Sequence, residues 1–252
     1  MEITNKVEVA FLALTFLFMV GSMVGWLIEL LFRRFISNKN PERKWINPGF
    51  LVGPCLPLYG FGLVALFIMP IIPYIGRDYS EGMSILQIVL TIIAMGVMMT
   101  LIEYIAGLIF IKGMKIKLWD YSDEPFNLQG IICLKFSLIW TALAAVYYFF
   151  IQPGVIDLVI WFGTHIAFTF VVGMFYGIFV IDLSYSLNLS SKIRQFAIDN
   201  DVVVKYEALK QEIRTDTDRV KKNWRFLLAL HTDKSLHDFM REKIERIKEE
   251  KA

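Results

Sequence analysis

Cysteine is scarce in this 252-residue chain: Cys55 and Cys133 are the only two, they form no CxxC pair, and no histidine pair stands near them. A zinc site of the usual spacing is excluded, and two buried, inert thiols are expected instead. Charge of one sign is also lacking, since 26 basic residues face 24 acidic ones for a net charge of +2. The basic side chains gather in loops and in the carboxyl-terminal tail, with no groove of interleaved aromatics, which argues against a nucleic-acid partner. No GxxxxGK[ST] stretch is present to cradle a nucleotide phosphate. Ser122 has no sequence-apparent histidine base, no nucleophile is identifiable, and so no catalytic residue is assigned and no cofactor is called for.

What the chain has in quantity is apolar sequence, 56% of its residues, with a mean hydropathy of +0.53. Five runs are long enough to cross a hydrocarbon core of ~30 Å as helices. They extend from Val9 to Phe32, Leu56 to Ile75, Ile85 to Ile111, Ile131 to Ile151 and Val155 to Leu183. The first is too long, and too acidic before its apolar region, for a cleaved signal peptide. Arg33, Arg34, Lys39, Arg43 and Lys44 follow the first run and Lys112, Lys115 and Lys117 the third, whereas Arg77 alone follows the second and no basic residue follows the fourth. The positive-inside rule then places the amino terminus outside and the tail in the cytoplasm. The expected fold is an all-α, multi-pass membrane bundle of about five helices over residues 1–189, with a cytoplasmic amphipathic helical tail over 190–252. The lipid bilayer is its first partner.

Two glutamates interrupt the apolar pattern. An ionisable side chain at membrane depth costs at least ~2.5 kcal/mol and ordinarily faces a partner, a cavity or a substrate path. Glu29 lies four residues before Arg33, so it can form an i,i+4 pair in the order that favours the helix dipole. Glu103 lies nine residues before Lys112, ~13 Å from the basic end of its run, with no cation near it on the same helix. Its candidate partners are Arg33 or Arg34, Tyr59, Tyr104 or a bound cation.

Two unusual segments join the runs. Asn47 to Gly62 reads NPGFLVGPCLPLYGFG, with three prolines and four glycines in an apolar context. It suits either a broken helix or re-entrant entry lining a cavity, or an interfacial loop whose prolines open the next helix. Leu118 to Gly130 reads LWDYSDEPFNLQG and combines carboxylates with hydrogen-bonding and aromatic side chains. Trp119, Asp120, Tyr121, Asp123 and Asn127 are its candidate ligand-binding residues, beside Glu29, Arg33, Tyr59 and Glu103. Asp120 and Asp123 are weak candidates for a hard cation, because the spacing is not that of an EF-hand. The plainer alternative is a turn in which Asp120 or Ser122 bonds its own backbone.

His165 stands without a carboxylate, cysteine or second histidine at helical spacing, which favours a core histidine over a proton relay. Gly173 and Gly177 form a GxxxG spacing suited to helix association. Beyond Ser190, apolar residues including Val202, Tyr206, Leu209, Ile213, Val220, Trp224 and Leu228 recur at steps of three and four among charges. Such a tail suits a partner protein, an anionic lipid surface, or packing of its helices on each other.

GWLIE at Gly25 to Glu29, the NPGFLVGPCLPLYGFG run, LIEY around Glu103, and the stretch from LWDYSDEPFNLQG through Trp140 resemble the bacterial ABC-transporter type IV family of CmpB-like membrane permeases. The resemblance covers roughly the first 150 residues. It implies a permease subunit in the bacterial plasma membrane, served by a separate ATPase or regulatory protein at the tail. Five spans are few for a transport path, so a homo-oligomer or a second membrane subunit is expected. A membrane-embedded enzyme acting on lipid headgroups and a non-transporting scaffold are the competing readings.

Overall fold

The computed structural model describes residues 2–37, 40–74, 82–199, 203–206 and 209. The expectations drawn from Lys39, Arg77, Val202 and the tail from residue 210 onward, Trp224 included, lie outside the described residues.

Apolar sequence without water to bond its amides must close its hydrogen bonds within the segment, and helix is the solution adopted throughout. Helix α1 spans Glu2–Phe35; α2 spans Pro57–Ile68 and tightens into a 3-10 turn at Met69–Tyr74. Helix α3, Ile85–Leu108, widens into a π turn at Ile109–Gly113. Short strands follow: β1 at Ile116–Lys117, β2 at Asn127–Leu128 and β3 at Ile132–Cys133. Helices α4 (Leu134–Val146), α5 (Gln152–Thr164) and α6 (Thr169–Asp199) complete the apolar part, and strand β4 is Val204–Lys205. Among the described residues, five stretches are long and apolar enough to cross a membrane: Val7–Phe35, Pro57–Tyr74, Ile85–Gly113, Leu134–Thr164 and Thr169–Asp199.

The count matches the expectation, but the fourth and fifth boundaries do not. The expected gap between Ile151 and Val155 contains Pro153, a residue that lacks an amide donor and collides with the carbonyl four residues back inside a helix. Instead, a π turn at Tyr147–Ile151 precedes α5 and leaves Pro153 in its first turn. The helical path therefore continues through to Thr164. The break falls at His165, whose backbone leaves the helical region (φ −120, ψ 60).

The chain forms two compact units. The first comprises Met1–Gly25, Leu56–Ala106 and Asp120–Ile178. Its helices approach closely through glycine. A Cβ at Gly21 would lie 2.8 Å from Leu63 Cβ and 3.0 Å from the Tyr59 carbonyl, one at Gly25 would collide with the Tyr59 ring, and one at Gly60 would strike Ser22. Gly96 makes the equivalent contact with Thr141 between α3 and α4. The GxxxG spacing in use is thus Gly21/Gly25, whereas a Cβ at Gly173 or Gly177 meets nothing within 4 Å. Around these contacts Leu17, Met95, Ala144, Tyr147 and Val155 form one buried cluster, and Phe16, Met19, Phe162 and Val172 another.

The second unit comprises Trp26–Cys55, Gly107–Trp119 and Phe179–Ala252. Its 45–55 connection is not helical, and Pro57 opens α2, where proline is tolerated. Asn47 holds the loop: it accepts from Trp26 Nε1 (2.5 Å) and donates to the carbonyls of Leu51 (3.1 Å) and Val52 (2.6 Å). Strands β1 and β4 pair in parallel, Ile116 with Val204. Ile116, Ile193, Tyr206 and Leu209 are buried together, so the first apolar residues of the tail pack within this unit.

Candidate functional site

Glu103 is buried, 4% exposed, and each carboxylate oxygen accepts one hydrogen bond. Tyr121 Oη donates to Oε1 at 3.0 Å and Trp140 Nε1 donates to Oε2 at 2.9 Å. Three separate stretches of the first unit supply the cluster: α3, the loop before β2, and α4. Gly96 lets α4 approach α3 at Thr141, the residue after Trp140, which brings the indole within reach. Tyr121 is positioned from its other side by Phe136, whose ring stacks on it at 4.4 Å. Among the described residues no cation lies within ion-pair distance of Glu103. Hydrogen bonds to an ionised acceptor are each worth about 1.5–3 kcal/mol, enough for two donors to offset much of the cost of placing a carboxylate at this depth.

The loop carrying Tyr121 is cross-braced. Ser122 donates to Asp120 Oδ1 from both its amide (3.1 Å) and its hydroxyl (2.6 Å), the turn expected of short polar side chains. Asn127 Nδ2 donates to the carbonyls of Ser122 (3.1 Å) and Glu124 (2.8 Å), and its Oδ1 accepts from the Gly130 amide (3.1 Å). Tyr121 N donates to the Gly130 carbonyl at 2.9 Å, closing the loop at its base. Glu124 pairs with Lys135 at 3.0 Å. Asp123 is exposed, and no group of three or more candidate metal ligands occurs among the described residues.

The other candidates fall elsewhere. Glu29 accepts from Arg33 Nε at 2.7 Å, the local pair anticipated from their spacing. Tyr59 packs its ring against Gly25, and Trp119 is half-buried in the second unit. The two donors to Glu103 are therefore neither Arg33 nor Tyr59. Trp140 was not among the candidates, although a usable signal existed: an indole N–H inside an apolar run requires an acceptor, and the neighbouring run offers only one carboxylate.

A second polar cluster was also missed. Asp182 on α6 accepts from two successive amides, Val52 N at 3.0 Å and Gly53 N at 2.9 Å, and from Ser186 Oγ at 3.2 Å. A Cβ at Gly53 would lie 2.8 Å from Asp182 Oδ2, so glycine permits the approach. Contrary to the expectation of a core histidine, His165 is exposed at the helix break. It stacks on Trp161 at 4.6 Å and shares Nδ1 with the Trp161 carbonyl (2.8 Å) and Thr164 Oγ1 (3.0 Å).

Among known proteins, neither the curated sequences nor the solved structures include a match to this chain. A family model does match, over residues 16–187. The matched stretch includes Glu103, Tyr121, Trp140 and Asp182, and continues past the point near residue 150 where the resemblance read from motifs ends. The five apolar helices are those of a membrane protein, and the chain belongs to the family described as "Putative ABC-transporter type IV".

Proposed function

We propose that the chain is the membrane-spanning permease component of an ABC-type transporter, with Glu103, Tyr121 and Trp140 as its polar solute site on the cytoplasmic side. The observation that supports this reading is the buried Glu103 carboxylate, held by one donor from a helix and one from a braced loop. A solute carrying a cationic or hydrogen-bond-donating group would replace the Tyr121 hydroxyl on Oε1, while Trp140 keeps Oε2 oriented. Because the loop is internally bonded, Tyr121 and the residues from Asp120 to Asn127 would move as a piece. Glu29, Arg33, Tyr59 and Trp119 belong to the supporting structure in this reading.

The chain has no GxxxxGK[ST] loop, so the ATP-hydrolysing partner is a separate polypeptide recruited at the tail, residues 190–252. The membrane part, residues 1–189, works as an oligomer in the bacterial plasma membrane with its amino terminus outside. One observation favours the competing scaffold reading: both Glu103 oxygens already have protein donors, as structural interhelical bonds require.

The two readings are separated by thermal unfolding of protein in nanodiscs titrated with potassium, ammonium, choline and spermidine chlorides. The transporter reading expects a saturable stabilisation by at least one of these that Glu103→Gln removes. Stabilisation by none, or one unchanged in Glu103→Gln, would favour the scaffold. For topology, Ser122→Cys should react with a membrane-impermeant maleimide in inside-out vesicles only; labelling in intact cells would reverse the orientation.

A further inference from the structure

Phe126 combines two costs with no compensating contact among the described residues. Its φ of 53 is left-handed, a region that bulky L-residues rarely adopt, and its side chain is 82% exposed. The loop around it is nevertheless well braced, since Asn127 alone makes three hydrogen bonds to Ser122, Glu124 and Gly130. The hairpin register decides where the ring is presented. Asn127 pairs with Cys133 and Leu128 with Ile132 in antiparallel order. Continuing that order by one step sets Phe126 level with Leu134, the first residue of the Leu134–Thr164 membrane stretch and itself 51% exposed.

We propose that Phe126, with Leu128 beside it, is a bilayer anchor: an aromatic wedge held at the headgroup–acyl boundary next to the entry of α4. The occupant is lipid and not a protein groove for a positional reason. The segment from 114 to 133 joins two consecutive membrane stretches, so it leaves and rejoins one face of the bilayer. Strands lie ~4.8 Å apart, which puts Phe126 no more than a side chain's length from the level at which the apolar helix begins. Aromatic side chains prefer this depth. The acids nearby do not oppose it: Asp120 is taken up by Ser122 and Glu124 by Lys135, leaving Asp123 as the exposed carboxylate of the loop. The anchor would fix the height of the same loop that carries Tyr121, yet the proposal rests only on the membrane spans and stands whether or not the chain transports.

The test uses full-length protein with Cys55→Ala and Cys133→Ala, carrying a single nitroxide-labelled cysteine at 122, 126, 128 or 134, in nanodiscs of phosphatidylethanolamine and phosphatidylglycerol. Collision with oxygen, which concentrates in lipid, is compared with collision with a water-soluble nickel chelate. Labels at 126 and 128 should match the label at 134, being accessible to oxygen and shielded from nickel, while the label at 122 remains open to nickel. Nickel access at 126 equal to that at 122 would overturn the proposal, and so would shielding from both reagents, which indicates a protein contact. Because a nitroxide is itself apolar, Phe126→Gly provides a second measure. Thermal stability of this variant in detergent should stay level or rise, as glycine relieves the left-handed backbone. A fall would assign the ring to the fold and refute the anchor.

Discussion

The Tyr121 hydroxyl can be removed without disturbing its ring. Tyr121→Phe keeps the stack on Phe136 at 4.4 Å and deletes only the 3.0 Å bond to Glu103. If Glu103 carries its charge, the loss should be about 1.5–3 kcal/mol, and if it is protonated about 0.5–1.5 kcal/mol. In a chain of this size each kcal/mol moves the midpoint by roughly 2–4 °C, so the charged case predicts a fall of about 3–12 °C. Glu103→Gln is destabilising for a different reason. An amide can still accept from Trp140 Nε1 and, with the Tyr121 hydroxyl turned to accept, donate to Tyr121 Oη, so the charge-assisted bonds are exchanged for neutral ones at a cost of about 0.5–1.5 kcal/mol. The double variant should depart from the sum of the singles by at least ~0.5 kcal/mol, because both substitutions act on the same hydrogen-bonded pair. Thermal unfolding of all four proteins in one detergent gives the cycle. Additive losses, or a Tyr121→Phe midpoint indistinguishable from the parent, would show that this hydrogen bond does not hold the loop and would remove Tyr121 from the site.

Gly25→Leu should destabilise by about 1–3 kcal/mol through overpacking against Tyr59, whereas Gly173→Leu, facing open space, should change the midpoint little. Equal effects in a thermal scan would contradict the assignment of the close contact to Gly21 and Gly25. Asp182→Ala should leave the amides of Val52 and Gly53 without their acceptor, at a cost of about 1–3 kcal/mol. Hydrogen exchange at those two amides should accelerate, and unchanged protection would show that the carboxylate does not clasp the loop.

Much of the architecture was legible because membrane insertion is governed by the length and apolarity of local segments. The five stretches, the Glu29–Arg33 pair, the Asp120–Ser122 turn and Pro57 at the start of α2 all depend on neighbours within a few residues. Local reasoning misplaced the boundary between the fourth and fifth runs: a π turn just before Pro153 leaves the proline in a first turn, where no amide is needed, and the break passes to His165. It also failed to choose between the GxxxG spacings at Gly21/Gly25 and Gly173/Gly177. Spacing says that a close approach is allowed, and only the neighbouring helix says whether it occurs.

By itself, the sequence determined that this chain is a multi-pass helical membrane protein of its family and that Glu103 is a carboxylate no cation on its own helix can answer. Only the tertiary structure decided which groups answer it. Tyr121 lies 18 residues along the chain and Trp140 lies 37, and nothing in sequence distance favours them over Tyr59 or Arg33. The same holds for Asp182, which finds the amides of Val52 and Gly53 some 130 residues away. The physical reason is common to both. In an apolar interior an acceptor must be satisfied by whatever donor the packing brings within 3 Å, and that is set by the contacts between helices and loops, not by the order of residues.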